Sequence, residues 1–440
     1  MSRTEGGCAS AMSVRVAPPH RAGTVAAIIA SCVLLVGAAP NGTTGVGEPV
    51  AVSAPDLSVA EFSAATGPSD PSLMVASAID NDAPGPETHC AVYVSRSGGS
   101  KWSEVPAWPT GPNFGPVYDP WVDVGVDGRL HASCIYLTRF GPRVGYVQSE
   151  DQGRTWTEPS LVTPLPGSFH RQSADKSALE VASDGTIYAC FTQVISPQQL
   201  QRTLAVSRSE DQGNTWITQD TGISGFCNGL AATADGVVTV AFLGNGLQYG
   251  TVTSTDDGDT WSPPVMLGEM WAGSLELPSI VRDGGGRTIV GEVAGPGSPR
   301  LEISVEDNAG ELIRQYALAR PPSSTCDTGR FIQPAVTAPP AGSAAFQVAC
   351  KIDPTEDLPG RQEVWLYTDI SPGSATPPVQ VTGFDIPPFD GPPTPFVRRF
   401  PDGGDYWELT WKAGGWLSMW IDPRTGGGPG VLMAAPVMSG

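Results

Sequence analysis

Short apolar runs alternate with polar, glycine-bearing turns along most of this chain, and the runs come in a fixed order. Val144-Gly145-Tyr146-Val147-Gln148 and Leu204-Ala205-Val206-Ser207-Arg208 each end at a serine that opens a polar turn. Upstream of the first, Trp121-Val122-Asp123-Val124 and Leu130-His131-Ala132-Ser133-Cys134-Ile135-Tyr136 are split by Asp127-Gly128. Runs of this length bounded by turn residues predict strands, and a D-G pair between two of them predicts a hairpin. The predicted unit is therefore four strands. A and B are joined by a tight turn, B and C by a loop, and C and D by the polar turn.

That last turn has a sequence of its own. Ser209-Glu210-Asp211-Gln212-Gly213-Asn214-Thr215-Trp216 recurs as Ser149-Glu150-Asp151-Gln152-Gly153-Arg154-Thr155-Trp156 and as Ser254-Thr255-Asp256-Asp257-Gly258-Asp259-Thr260-Trp261, giving the pattern S-x-D-x-G-x-T-W. An Asp at a hairpin tip accepts turn amides, the Gly two later takes positive φ, and Thr-Trp restarts a strand. Ser95 to Trp102 keeps the Ser, Gly and Trp without the Asp, while Ser304 to Gly310 and Thr368 to Gly373 keep only the hairpin position. The six turns start 54, 60, 45, 50 and 64 residues apart, which is the cadence of a repeat architecture.

The eight-residue pattern resembles the Asp box of bacterial neuraminidase repeats, found in β-propellers of the sialidase superfamily. This resemblance covers roughly Ser58 to the C-terminus and implies an all-β propeller of four-stranded antiparallel blades, with the boxes on its rim. A further set of runs, Phe396 to Phe400, Tyr406 to Trp411, Trp416 to Ile421 and Val431 to Pro436, follows the six repeats. Seven blades are expected. Six remain the alternative, with the tail completing the ring together with the N-terminal strands.

Composition agrees with short strands and turns: 53 Gly, 43 Pro and 12 Trp stand against only 16% charged residues, which suits helices poorly. Ahead of the repeats, Arg15, His20 and Arg21 precede an apolar run from Val25 to Val36 that ends in Gly37-Ala38-Ala39. A basic stretch, a short apolar run and small residues predict a signal peptide over residues 1–39 and hence a secreted protein. Ile29-Ala30-Ser31-Cys32 offers a minority alternative, a lipoprotein held to the membrane through Cys32. Residues 40–57, rich in Gly, Thr, Pro and Ala, read as a linker, and residues 58–440 as the propeller.

Six cysteines lie beyond the leader, an even number that implies disulfides in an exported chain, although the count alone permits 15 pairings. The blade order implied by the resemblance puts Cys190 and Cys350 in B strands and Cys227 and Cys326 just before A strands. Cys190 with Cys227, and Cys326 with Cys350, are then expected, leaving Cys90 with Cys134.

A formal charge of −20 argues against nucleic acid, since phosphate binding needs a basic face. In the implied propeller the A-to-B and C-to-D turns share one face, and the D-to-A and B-to-C loops surround the channel on the other. Those loops hold Tyr118, Asp119, Arg139, His170, Arg171, Asp175, Trp271, Glu276, Asp327, Arg330, Asp385, Asp390 and Arg398. The family holds a sugar carboxylate with three arginines, which implies Arg171, Arg330 and Arg398 here, with Trp271 as a further substrate contact. It also uses a tyrosine nucleophile assisted by a glutamate, and an aspartate acid/base. Glu276, Asp119 and Tyr118 fit those positions, whereas Tyr406 follows a predicted A-to-B turn and belongs to the wrong face. The family's F/Y-R-I-P motif is absent, with Val59-Ala60-Glu61-Phe62-Ser63 in that region.

The implied activity is that of an exo-α-sialidase, a glycoside hydrolase. The alternative is a non-catalytic propeller that binds a glycan or a protein. A cell-surface glycoconjugate is the expected partner, and a monomer is expected. Neither a cofactor nor a metal is implied, since one Asp per turn falls short of the oxygen ligands that calcium takes. No H-E-x-x-H, G-x-S-x-G or P-loop occurs in the chain.

Overall fold

A computed structural model describes residues 45–438, apart from residues 56, 82–87, 109–114, 139–140, 164–172, 197–200, 271–276, 296–297, 354–359, 372–375, 387–395, 397–398, 401 and 423–429. The leader, including Cys32, lies outside the described residues. Within them, seven antiparallel sheets follow one another along the chain. The innermost strands are Ser58–Thr66, Gly115–Val124, Ser173–Val181, Gly225–Ala232, Ser279–Arg282, Arg330–Thr337 and Thr410–Lys412. In each of the first six sheets the other three strands follow outward in sequence order, so the fold is a propeller with seven blades.

The seventh blade differs from the expected one in two ways. Its three C-terminal strands are Thr410–Lys412, Gly415–Asp422 and Val431–Met438, and Phe396 and Phe400 lie outside them, with Phe400 N donating to Phe396 O at 2.9 Å. The outermost positions are filled from the other end of the chain. Gly45–Val46 pairs with Val437 and Met438, and Val50–Ala51 pairs with Met433 and Ala434. Part of the stretch that composition describes as linker is thus edge strand, because backbone pairing asks little of side chains beyond an extended conformation.

The polar turns fold as their sequence requires. In the second blade, Ser149 Oγ accepts the amide of Gly153 at 2.8 Å, and Asp151 accepts the amide of Thr155 at 2.8 Å and its hydroxyl at 2.8 Å. The same three bonds recur from Ser209 and Asp211, and from Ser254 and Asp256. These bonds favour the ionised carboxylate, and the Thr155 amide and hydroxyl hold Asp151 down at about 2. Neighbouring turns are also tied to each other. Gln148 donates to Gln212 O at 3.1 Å, while Arg208 donates to Asp257 O at 2.8 Å and to Asp259 at 2.7 Å.

Apolar side chains fill the wedges between blades. Val92 and Val94 of the first blade pack with Val122, Leu130 and Val147 of the second, and Met419 and Trp420 of the seventh pack with Phe62 and Ala76 of the first. Gly213 shows how tight these wedges are: its φ is +80°, and a Cβ there would lie 2.1 Å from the Tyr146 ring of the preceding blade. Gly213→Ala is expected to lower unfolding stability by about 2–4 kcal/mol through combined overpacking and backbone strain, read from the urea midpoint.

All three expected disulfides are present: Cys90–Cys134, Cys190–Cys227 and Cys326–Cys350. Cys90–Cys134 joins the first two blades and Cys190–Cys227 the third and fourth. Cys326 sits in the short helix Ser324–Thr328, which leads into the sixth blade.

Candidate functional site at the channel mouth

Four innermost strands carry the same irregularity near their upper ends. Glu61, Asp119, Lys176 and Gln333 have φ of 44°, 47°, 48° and 59°, and at each the register with the neighbouring strand slips. A bulge adds a residue that re-aims its side chain, and bulges gather beside functional sites. Here they turn polar side chains from different blades towards one another. The fourth blade slips at the equivalent place, between Cys227 and Gly229.

Lys176 is the centre of the cluster. Its Nζ lies 3.2 Å from Glu61 and 3.4 Å from Asp119, and it also contacts Asp405, while its backbone amide donates to the second Asp119 oxygen at 2.9 Å. Burial disfavours the lysine charge, but Asp119, Glu61 and Asp405 outweigh it and hold the ammonium well above its ordinary range. For Glu61 burial wins. Its one attractive partner is shared with two other carboxylates, and its carboxyl is pushed up to about 8.

Tyr406 belongs to this cluster, which corrects the face expected for it. The innermost strand of the seventh blade starts only at Thr410, so Tyr406 precedes that strand and lies at the channel mouth. Its ring centroid is 6.0 Å from Lys176 Nζ, and its hydroxyl donates to Pro120 O at 3.2 Å. Burial, reinforced by the charges of Glu61, Asp119, Asp405 and Glu408, keeps the phenol protonated well above its ordinary range. At neutral pH it is a poor nucleophile.

A second charged group sits beside the first. Arg330 binds Asp402 through both guanidinium nitrogens at 2.7 Å each, and Lys351 Nζ reaches the same carboxylate at 2.6 Å. Asp353 lies 3.3 Å from Arg330 on its exposed side. Burial acts against the guanidinium charge, yet the bonds and charge of Asp402 raise Arg330 above its ordinary value. Gln333 Nε2 donates to Gly404 O at 2.7 Å and links the two groups.

Of the residues singled out in the sequence, Tyr118, Asp119 and Arg330 stand at this mouth. Asp119 is 2% exposed and both its oxygens are taken by Lys176. Tyr118 is half-buried, with the Arg399 guanidinium 4.1 Å from its ring centroid and donating to its hydroxyl at 3.0 Å. Arg171, Trp271, Glu276 and Arg398, and also His170, lie outside the described residues. Sequence reasoning missed Glu61, Lys176, Asp402 and Asp405. The signal available for Glu61 was its place in the segment where the F/Y-R-I-P motif was sought.

Gly404 is needed for this geometry, because a Cβ there would meet Glu61 Cγ at 2.2 Å and its φ is +101°. Gly404→Ala is expected to displace Glu61 and to cost about 2–3 kcal/mol in stability, with the shift visible in the backbone amide resonances of Glu61 and Lys176.

No protein-family model and no curated protein matches the sequence. Solved structures do match in fold. A protein of unknown function from Dyadobacter fermentans is 13% identical, with a TM-score of 0.51 over 73% of this chain and 97% of that one. A Hadza microbial sialidase is 17% identical, with a TM-score of 0.47 over 67% of this chain and 63% of that one, less than two thirds of its length. An α-L-arabinofuranosidase from Fusarium graminearum is 13% identical, with a TM-score of 0.47 over 70% and 92%. At such identities the likeness concerns architecture alone, and by architecture this chain is a β-propeller of seven antiparallel blades.

Proposed function

We propose that this chain is an exported propeller that binds uncharged glycans at the channel mouth and does not hydrolyse sialosides. The glycan half of the reading rests on the resemblance of its turn repeats to those of sialidase-superfamily propellers. Export rests on the leader composition and agrees with the three disulfides. The observation that carries the rest is the state of Arg330 and Lys176. Arg330 already holds a carboxylate in both forks, and Lys176 is shared among three.

A sugar carboxylate would have to displace Asp402 from a geometry that satisfies the guanidinium fully, so an anionic sugar gains little there. Glu61 adds a carboxyl where the family resemblance looks for an arginine. The stacked pair of Tyr118 and Arg399 supplies an amphipathic surface on which a sugar ring can lie.

The test is a fluorogenic sialoside assay together with a glycan array on the purified mature chain. Expected results are no turnover above the blank and binding of neutral over sialylated glycans, with sialylated binding gained in Asp402→Asn, which frees Arg330. Turnover that disappears in Asp119→Asn would overturn the proposal in favour of an exo-α-sialidase, with Asp119 as acid, Glu276 and Tyr118 as the nucleophilic pair, and Arg171, Arg330 and Arg398 as the clamp.

A further inference from the structure

On the turn side of the bulges the channel widens into a cavity of about 160 Å³. Trp121 and Trp411 line it, and so do three carboxyl groups, Asp123, Glu180 and Glu408. A bound water occupies ~30 Å³ of liquid volume, so the space holds a group larger than a single water. Carboxyl groups in such a place are costly unless something answers them.

The three are not equally answered. Asp123 is fixed, accepting the Val124 amide at 2.7 Å through one oxygen and the Val181 amide at 2.7 Å through the other. Glu180 is partly buried at the cavity wall, and among the described residues no hydrogen-bond donor bears on it. It feels the like charges of Asp123 and Glu408 and the opposite charge of Arg282. Arg282 donates through Nη1 to Gly286 O and Asn308 Oδ1 at 2.7 Å each, its Nε and Nη2 have no hydrogen-bond partner among the described residues, and Asp235, Asp283 and Glu306 act on it besides Glu180. Among the described residues no three acids stand close enough together to hold a metal ion. An ion carried on an apolar stem fits what remains, because indole faces attract cations and cover alkyl groups.

We propose that this lower channel, distinct from the channel mouth, is a binding site for an alkylammonium group, with Glu180 and Glu408 as its counter-charges, Asp123 as a fixed acceptor, and Trp121 and Trp411 as its walls. Burial holds protons on these acids, against backbone hydrogen bonds at Asp123 and Glu408 and with added repulsion from those two at Glu180: Asp123 is pushed up to about 7, Glu408 to about 8, and Glu180 well above its ordinary value. An incoming ammonium favours the ionised forms, so binding releases protons to solvent. Affinity therefore rises with pH up to the values of the empty site, by about tenfold per pH unit for each proton released.

Isothermal titration with n-butylammonium chloride, and with n-butanol as the uncharged control of similar shape, tests this at pH 6 and pH 8 in buffers of different ionisation heat. The expected result is saturable binding of the ammonium alone, tighter at pH 8, with a buffer-dependent heat that reports proton release. Glu180→Gln and Glu408→Gln each weaken binding at least about tenfold, since each removes one counter-charge. Both keep the shape of the side chain and remove a buried ionisation, so thermal unfolding is expected to show them folded and no less stable than the parent. Absence of saturable heat, equal binding of butanol, or affinity unchanged in both variants overturns the proposal.

Discussion

Raising the pH from 5 to 8 is expected to destabilise the folded chain by several kcal/mol, the opposite of the usual behaviour of carboxylates. Glu292 and Glu306 have no exposed surface, and burial pushes them up to about 8 and about 7. Glu302 adds repulsion at the first, while at the second Thr251 and Arg282 oppose the rise. Glu61 and Glu408 reach about 8, Asp123 about 7, and Glu180 shifts the same way.

A carboxyl raised in the folded state keeps its proton there after the unfolded chain has lost its own, which happens near pH 4.5. Its contribution is therefore full below pH 4.5 and is lost as pH rises towards 7–8. Each such proton is worth about 1.4 kcal/mol per pH unit across that window. His131, lowered to about 4 by burial, acts the other way below its unfolded value near 6.5, but as one group against six. Below pH 4 the bonded turn carboxylates of Asp151, Asp211 and Asp256 lose their contribution, so the optimum lies between pH 4.5 and 5.5. Urea unfolding followed at pH 5 and pH 8 reads the effect. Glu292→Gln is expected to shrink the difference by up to about 4 kcal/mol, the part of one group's shift that falls between the two pH values, and stability that is flat or rising between them would show that these groups ionise freely.

Reduction of the disulfides is expected to have a comparable effect. The bridges close loops of 44, 37 and 24 residues, and restricting such loops in the unfolded chain stabilises the native state by about 3–4 kcal/mol each. Two of the three join consecutive blades, so their loss is felt at the wedges between blades as well as in the unfolded chain. Guanidinium unfolding with and without a phosphine reductant measures the sum. The double variant Cys190→Ala with Cys227→Ala should lose about 3–4 kcal/mol by itself, with Cys90–Cys134 and Cys326–Cys350 still formed on peptide mapping. A loss below 1 kcal/mol would mean that the wedge packing alone holds the third and fourth blades together.

Blade cadence was legible because its signal is local, and cysteine pairing because it follows from the blade order. The bonds that Ser209 and Asp211 make to the turn at Ser209 to Trp216 all fall within eight residues, so the turn is written in adjacent letters. The channel mouth obeys no such rule. Glu61, Asp119 and Lys176 are non-glycine residues at positive φ, which propensity disfavours, and they meet only because three strands more than 50 residues apart share one axis. Tyr406 was assigned to the wrong face by a single displaced boundary: taking Phe396 to Phe400 as the innermost strand inverts the face of everything up to the next strand. The N-terminal edge strand left even less trace, since four paired residues in a Gly- and Pro-rich stretch carry no periodicity.

That edge strand bears on the kinetics of assembly. The first six blades each consist of residues close in sequence and can form as soon as their own segment is available. The seventh pairs Gly45 with Met438, a contact spanning nearly the whole described chain. Contacts of such separation form slowly, because the chain between them must first be ordered or its entropy lost. The clasp is therefore expected to be the last event of folding and the first of unfolding, so that hydrogen exchange at Val437 and Met438 reports opening of the ring while the interior of the third and fourth blades is still protected.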